Sequence, residues 1–125
     1  MPFVDSDVFI ALLKSDDPYE SSARKLITLP HLYTSSLVLV ELSLVLRREV
    51  SEILSLQLPK VLGFNGKIID FTSDYFELST KLRQKHNLGI FDAAHAAVAL
   101  KSDGIIISSD KAFDHFELKR IPLER

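Results

Sequence analysis

The sequence predicts an α/β domain, with a parallel sheet of four to five strands held between helices. Three observations carry this. Short apolar runs such as "PFVD", "KIID" and "IIIS" alternate with longer stretches of helical periodicity. The run "IIIS" shows no polar alternation, as expected of a strand buried on both faces. A chain of 125 residues, 46% of them hydrophobic, suits one three-layer domain spanning residues 1–125 with a full core.

The elements follow in order. "PFVD" is a strand ending at Asp5, and "SDVFIALLK" is the helix after it. "DDPYESSARKLITL" opens a second helix, with Asp17 as N-cap and Pro18 at the first helical position. "HLYTS" is a brief second strand, followed by a helix from Ser35 or Ser36. "SEILSLQLPKVLG" is a further helix, limited by Pro59 and closed near Gly63. "GKIIDF" supplies a third strand, and "TSDYFELSTKLRQKHN" an amphipathic helix ending at Asn87-Leu88-Gly89. The Ala-rich "FDAAHAAVALKSDG" is a helix that Gly104 terminates. "IIIS" is the fourth strand, "DKAFDHF" a short turn or helix, and the segment near "RIPL" a final strand. Strand–helix alternation of this kind implies right-handed crossovers.

Composition excludes several classes. With no cysteine, disulfides and thiolate chemistry are ruled out, which fits a cytoplasmic location. No apolar run is long enough to span a bilayer, because Glu41 and the Arg47-Arg48 pair interrupt the best candidate. The opening "MPFVDSDVFIALL" lacks a basic n-region and reads as the first structural element. A net charge of −2 gives no global attraction for nucleic acid, so such a partner needs a basic patch or metal ions.

The segment "TSSLVLVELSLVLRR" places one carboxylate, Glu41, in a run of Leu and Val. At helical spacing its neighbours are Leu37, Val38, Leu44 and Val45, and it points roughly 140° away from the stripe of Ser36, Ser43 and Arg47. The acid is therefore expected to face inward. There it requires a cation, a hydrogen-bonding partner or a retained proton.

Three other acids fall where a parallel sheet builds its ligand site, beyond the carboxyl ends of the strands. Asp5 closes the first strand, Asp110 follows "IIISS", and Asp92 opens the "DAAHAAVAL" helix. Glu41 lies about one and a half turns into its helix and can point back to the same rim. Four converging carboxylates stay ionised together only if divalent cations compensate them. Hard oxygen ligands without cysteine suit one or two Mg²⁺ or Mn²⁺ ions better than zinc. Taken singly, Asp5, Asp92 and Asp110 are also good helix caps or turn residues, and Glu41 could pair with a buried Arg or Lys. His95, one turn after Asp92, is expected to pack among small residues rather than to bind metal. Ser6, Ser108 and Ser109 are placed to donate hydrogen bonds to site carboxylates. Glu49, Glu52, Glu77 and the other acids read as caps or solvated faces.

Together these segments resemble the PIN domain, and within it the small VapC-type toxin ribonucleases. "FVDSDVFIALL" is similar to the family's opening strand, matching Asp5 and Ser6; "TSSLVLVEL" resembles its second motif, with the acid at Glu41. "GIFDAAHAAVAL" resembles the third, with Asp92, and "IIISSDKAF" the fourth, with Ser108 and Asp110. Two positions depart from the pattern: Asp7 stands where many relatives carry Asn or a small residue, and Ala112 where Asp is frequent. Asp7 or Asp114 is then expected to add charge at the rim. The resemblance implies a metal-dependent endoribonuclease, with Asp5, Glu41, Asp92 and Asp110 as catalytic and metal-holding residues. It also implies an RNA substrate, a homodimer, and a cognate antitoxin whose C-terminal segment covers the site.

Two rival readings remain at this level. A response-regulator receiver of similar length would use Asp70, at the end of "KIID", as phosphoacceptor and Lys111 as its lysine. It lacks the adjacent acid pair expected after the first strand and gives no reason for an inward Glu41. The other rival is a PIN-like module that binds RNA or protein without cutting.

Overall fold

The computed structural model describes residues 1–14, 16–46 and 52–124. It contains five strands, β1 (Phe3–Val4), β2 (Tyr33–Ser35), β3 (Lys67–Ile69), β4 (Ile105–Ile107) and β5 (Lys119–Ile121). All pair in parallel, in the spatial order β3-β2-β1-β4-β5. Six helices flank the sheet: α1 (Ser6–Leu13), α2 (Glu20–Leu26), α3 (Ser36–Leu46), α4 (Glu52–Val61), α5 (Ser73–His86) and α6 (Ile90–Leu100). A short 3₁₀ helix spans Lys111–His115. Arg47, Arg48, Glu49 and the expected helix start at Ser51 lie outside the described residues.

The core follows from the apolar strand residues. Phe3, Val4, Ile106 and Ile107 are fully buried in the two central strands, and Phe9, Leu32, Leu42, Phe113 and Leu123 close over them. The alanines of α6 are buried from Ala93 to Ala99, so this helix lies close against β1 and β4, with α5 on its outer side. Gly66 marks a tight passage into β3. A Cβ at that position would sit 2.2 Å from the Leu32 carbonyl oxygen and 2.5 Å from the Phe64 ring.

Strand order decides one of the rival readings. A receiver runs 2-1-3-4-5, which puts its third strand beside the first in the sheet centre. Here β3 is an edge strand bonded only to β2, and Asp70 at its end is exposed. The receiver is thereby excluded.

Several boundaries differ from expectation for local reasons. Asp17 does not cap α2. Its carboxylate accepts from the Tyr19 amide at 2.8 Å within a turn, and the helix begins at Glu20. Pro59 lies inside α4, two residues before its end, and Gly63 (φ +100°) then closes the turn. The helix α6 starts at Ile90 with Gly89 as N-cap, so Asp92 sits in the first helical turn and is not the cap. Asn87 ends α5 in the left-handed conformation, φ 54°.

Candidate active site

The chain runs outward from β1 through β2 to β3 on one side, then returns to β4 and β5 on the other. The strand order therefore reverses between β1 and β4, where open α/β sheets leave a crevice at the carboxyl ends of their strands. Asp5 leaves β1 at this point and Ser108 leaves β4. The two meet: the Ser108 hydroxyl donates to Asp5 Oδ2 at 2.7 Å. Asp5 also caps α1, its Oδ1 accepting from the Ser6 amide at 2.8 Å. Its side chain is thus fixed on both oxygens and almost fully buried.

Glu41 reaches the same crevice from α3. Its Oε1 lies 2.8 Å from His95 Nε2, and the same nitrogen is 3.7 Å from Asp5 Oδ1. The partner expected for the inward acid is therefore an imidazole of this chain. His95 is completely buried, but it touches carboxylates as well as the small residues it was expected to pack among. Glu41 keeps 21% of its side chain exposed. The flank of α3 beyond it is not buried as the periodicity implied, since Leu44 is 62% and Val45 47% exposed.

Asp92 comes from the first turn of α6 and Asp110 from the start of the 3₁₀ helix, where Asp110 accepts from the Ala112 amide at 2.9 Å. Asp110 is thus the cap of the 3₁₀ helix. Asp92 lies close enough to Asp110 and Asp5 for their charges to act on its carboxyl. Asp7 lies one helical position beyond Ser6. Its Oδ2 accepts from the Ser109 amide at 2.7 Å, from the Ser109 hydroxyl and from the Ser108 hydroxyl at 3.2 Å, while its buried Oδ1 has no partner among the described residues.

The electrostatics follow from this crowding. Burial pushes the Asp7 carboxyl up to about 7, reinforced by the charge of Asp5 and opposed by the Ser109 and Ser108 hydrogen bonds. Asp92 is pushed up to about 6, by burial first and then by Asp110 and Asp5. Asp5 is also raised, burial outweighing His95 and Ser108, with Glu41 adding to the rise. Glu41 behaves oppositely: burial would raise it, but the hydrogen bonds from His95 and Ser6 bring it below its ordinary value. His95 is raised because Glu41, Asp5 and Asp92 together outweigh its burial.

Asp114 does not add free charge at the rim. Arg120 grips it with Nε and Nη2 at 2.9 and 3.0 Å, so the carboxyl is held below its usual range. Arg120 also donates to the Ser108 carbonyl at 3.0 Å and thereby braces the end of β4. Nothing in the sequence marked Arg120. His95 could have been found, because a buried imidazole in an alanine helix needs a polar partner and only the acids offer one.

The donor set fits a hard divalent cation. Ligand atoms of Asp5, Glu41 and His95 lie within 4.8 Å of one another, and Asp92 and Asp110 adjoin them. Burial, and then their mutual charges, make Asp5, Asp7 and Asp92 hold their protons more tightly than usual, a cost that a bound cation would offset. The remaining ligand capacity is oxygen, which suits Mg²⁺ or Mn²⁺.

Among known proteins, no curated sequence matches. Solved structures do. The Mycobacterium tuberculosis toxin VapC20, described as cleaving the sarcin–ricin loop, superposes with a TM-score of 0.74 at 22% identity, covering 91% of this chain and 93% of its own. A toxin–antitoxin complex from Klebsiella pneumoniae superposes with a TM-score of 0.75 at 18% identity, covering 98% of both chains. A third, VapBC2 of Rickettsia felis bound to a promoter DNA fragment, gives 0.67 at 21% identity and 96% of both chains. These likenesses are of fold. The family model of the PIN domain matches residues 3–119, from the first strand into the last, and the chain accordingly belongs to the PIN domain family.

Proposed function

We propose that this protein is a divalent-metal-dependent endoribonuclease acting as the toxin of a toxin–antitoxin pair. The observation that carries the reading is the meeting of Asp5 and Glu41, from separate segments, at the carboxyl end of β1, with Asp92 and Asp110 near enough for their charges to be felt there. Asp5, Glu41, Asp92 and Asp110 would hold one or two Mg²⁺ or Mn²⁺ ions. Bound there, such ions supply an activated water for in-line attack on the phosphodiester and charge neutralisation at the departing 3′ oxygen, leaving 5′-phosphate and 3′-hydroxyl ends. The chain's own residues set the geometry. Ser6 and Ser108 lock the Asp5 carboxylate, and the hydrogen bond to His95 turns Glu41 toward it. Asp7 ties the β4 end to α1 through Ser108 and Ser109 and so supports the site without facing substrate. A bound ion also lets an acidic protein engage a polyanion.

Incubation of the purified protein with a mixed RNA panel tests this. Cleavage is expected with Mn²⁺ or Mg²⁺, none with EDTA, and none from Asp5→Asn under either condition. Cleavage that survives chelation, or is equal in Asp5→Asn, would contradict it.

The toxin–antitoxin complexes among the similar structures support a cognate antitoxin as partner, and an RNA substrate fits a cytoplasmic site of action. Among the described residues no helix is long and apolar enough to cross a membrane. A homodimer is supported by an apolar stripe. Leu37, Val40 and Leu44, at i, i+3 and i+7 on α3, continue a groove of about 400 Å³ shared with Phe71, Phe76 and Ile90. Val40, Leu44, Phe76 and Ile90 are 49–63% exposed, large apolar side chains of the kind a subunit contact covers. Light scattering should give twice the chain mass for the wild type and the chain mass for Phe76→Glu. A monomeric wild type would refute the dimer.

A further inference from the structure

We propose that Arg120 is a positioning residue of the site: seated on Asp114 and Glu124, its guanidinium holds the Ser108 carbonyl and so fixes the segment from Ser108 to Asp110 against the Asp5 carboxylate. The role deepens the ion-dependent reading above and rests on it for its effect on ion binding.

A guanidinium offers its N–H donors in a rigid planar fork, and here three groups share them. Nε and Nη2 grip Asp114 at 2.9 and 3.0 Å, while Nη1 and Nη2 lie 2.9 and 2.8 Å from the two Glu124 oxygens. Nη1 also donates to the Ser108 carbonyl at 3.0 Å. An ordinary surface pair would leave the cation in water. Here only 8% of the Arg120 side chain is exposed, against 45% of Asp114 and 27% of Glu124. The two carboxylates thus hold the fork from the solvent side, and the carbonyl takes a donor turned to the interior. A lysine ammonium, a single point of charge, could not span all three groups in one plane.

Ser108 is fully buried and carries the site on its other side. Its hydroxyl donates to Asp5 Oδ2 at 2.7 Å and accepts from the Asp110 amide at 3.0 Å. The next amide, that of Ser109, donates to Asp7 at 2.7 Å. Strand β4 ends at Ile107, so the Ser108 carbonyl lies beyond it, and β5 anchors the residue through Arg120 and through the Ile121 carbonyl, which accepts from the Ser108 amide at 3.1 Å. Without the guanidinium the buried carbonyl loses a charge-assisted partner and bears the cost of an unmet acceptor. Turning that carbonyl toward water would relieve the cost and carry the hydroxyl away from Asp5. Arg120 therefore acts on the acids through Ser108 and touches none of those proposed to hold the ion.

Three measurements on the full chain test the proposal. Amide hydrogen exchange without added ion should quicken roughly 10-fold or more at Ser109 and Asp110 in Arg120→Met, with Ala96 and Ala97 of α6 unchanged. No change at Ser109 and Asp110, or an equal rise at all four, would overturn the role, since the second marks a general loss of stability. Calorimetric titration should show Mn²⁺ affinity falling about 10-fold in Arg120→Met, and falling also in the double variant Asp114→Asn, Glu124→Gln, which loosens the guanidinium from outside. Unchanged affinity in either variant, once folded, would overturn it. Added to Ser108→Ala, which lacks the hydroxyl, Arg120→Met should weaken binding by less than about threefold more, and a full additive loss would show that Arg120 acts by another route. A wild type that binds no Mn²⁺ would overturn the ion-dependent reading, while the exchange measurement, made without ion, still decides on Arg120.

Discussion

Asp92→Asn is expected to abolish RNA cleavage, by more than about a hundredfold, while making the protein more heat-stable in EDTA. The two effects have one cause. Asp92 is pushed up to about 6 by burial and by the charges of Asp110 and Asp5, so at pH 8 its ionised form opposes folding when no cation is bound. An asparagine of nearly the same shape removes that charge and keeps the first turn of α6. It also removes an anionic ligand from the proposed cation site. A structural role alone would instead lower heat stability along with activity. Asp5→Asn should likewise abolish cleavage with the fold intact, because asparagine caps α1 as well as aspartate does and its amide can donate to the Ser108 hydroxyl, which still has Asp7 to donate to. Activity assays beside thermal melts of both variants check this. Full activity in either would contradict the assignment.

The second large effect is a stability that falls as pH rises. Asp7, at about 7, and Asp92, at about 6, have ordinary values of 3.8, so between about pH 4 and 7 the folded chain holds protons that the unfolded chain has released. Unfolding free energy then decreases with pH across that window. His95 works in the same direction. Its value is raised from 6.5, so the stability it contributes is complete below that value and is lost as pH climbs through the folded one. Glu41, lowered from 4.5, loses its contribution only on acidification below its ordinary value, outside the range of interest. In EDTA the melting temperature is therefore expected to fall by at least about 5 °C from pH 5 to pH 8. A flat or rising profile would mean that the acids are not crowded as described.

Much of this architecture was legible in the sequence because strands buried on both faces write themselves as unbroken apolar runs, as "IIIS" and "FV" do. Their spatial order was not, because it depends on which crossover each helix takes; only the structure puts β3 at the edge and disposes of Asp70 as an acceptor. Acids at strand ends were readable from position. What joins them was legible only in part. His95 sits in an alanine stretch whose composition speaks of close packing, and Arg120 reaches Asp114 across a turn that no periodicity encodes. The exposed flank of α3 misled for a different reason. A helix apolar on every side has more greasy surface than one sheet can cover, so Leu44 and Val45 stay outside whatever their hydrophobicity. Asp17 and Asp92 show the ambiguity of aspartate near helix starts, where turn, cap and first-turn positions share the same residue preference.

The central claim is that carboxylates from separate segments share a divalent cation, and paired thermal melts at pH 8 test it most directly. With wild type and Asp92→Asn each in EDTA and in excess Mn²⁺, the ion should raise the melting temperature of the wild type by several degrees and leave Asp92→Asn nearly unmoved. An equal shift in both proteins, or no shift in either, would contradict it.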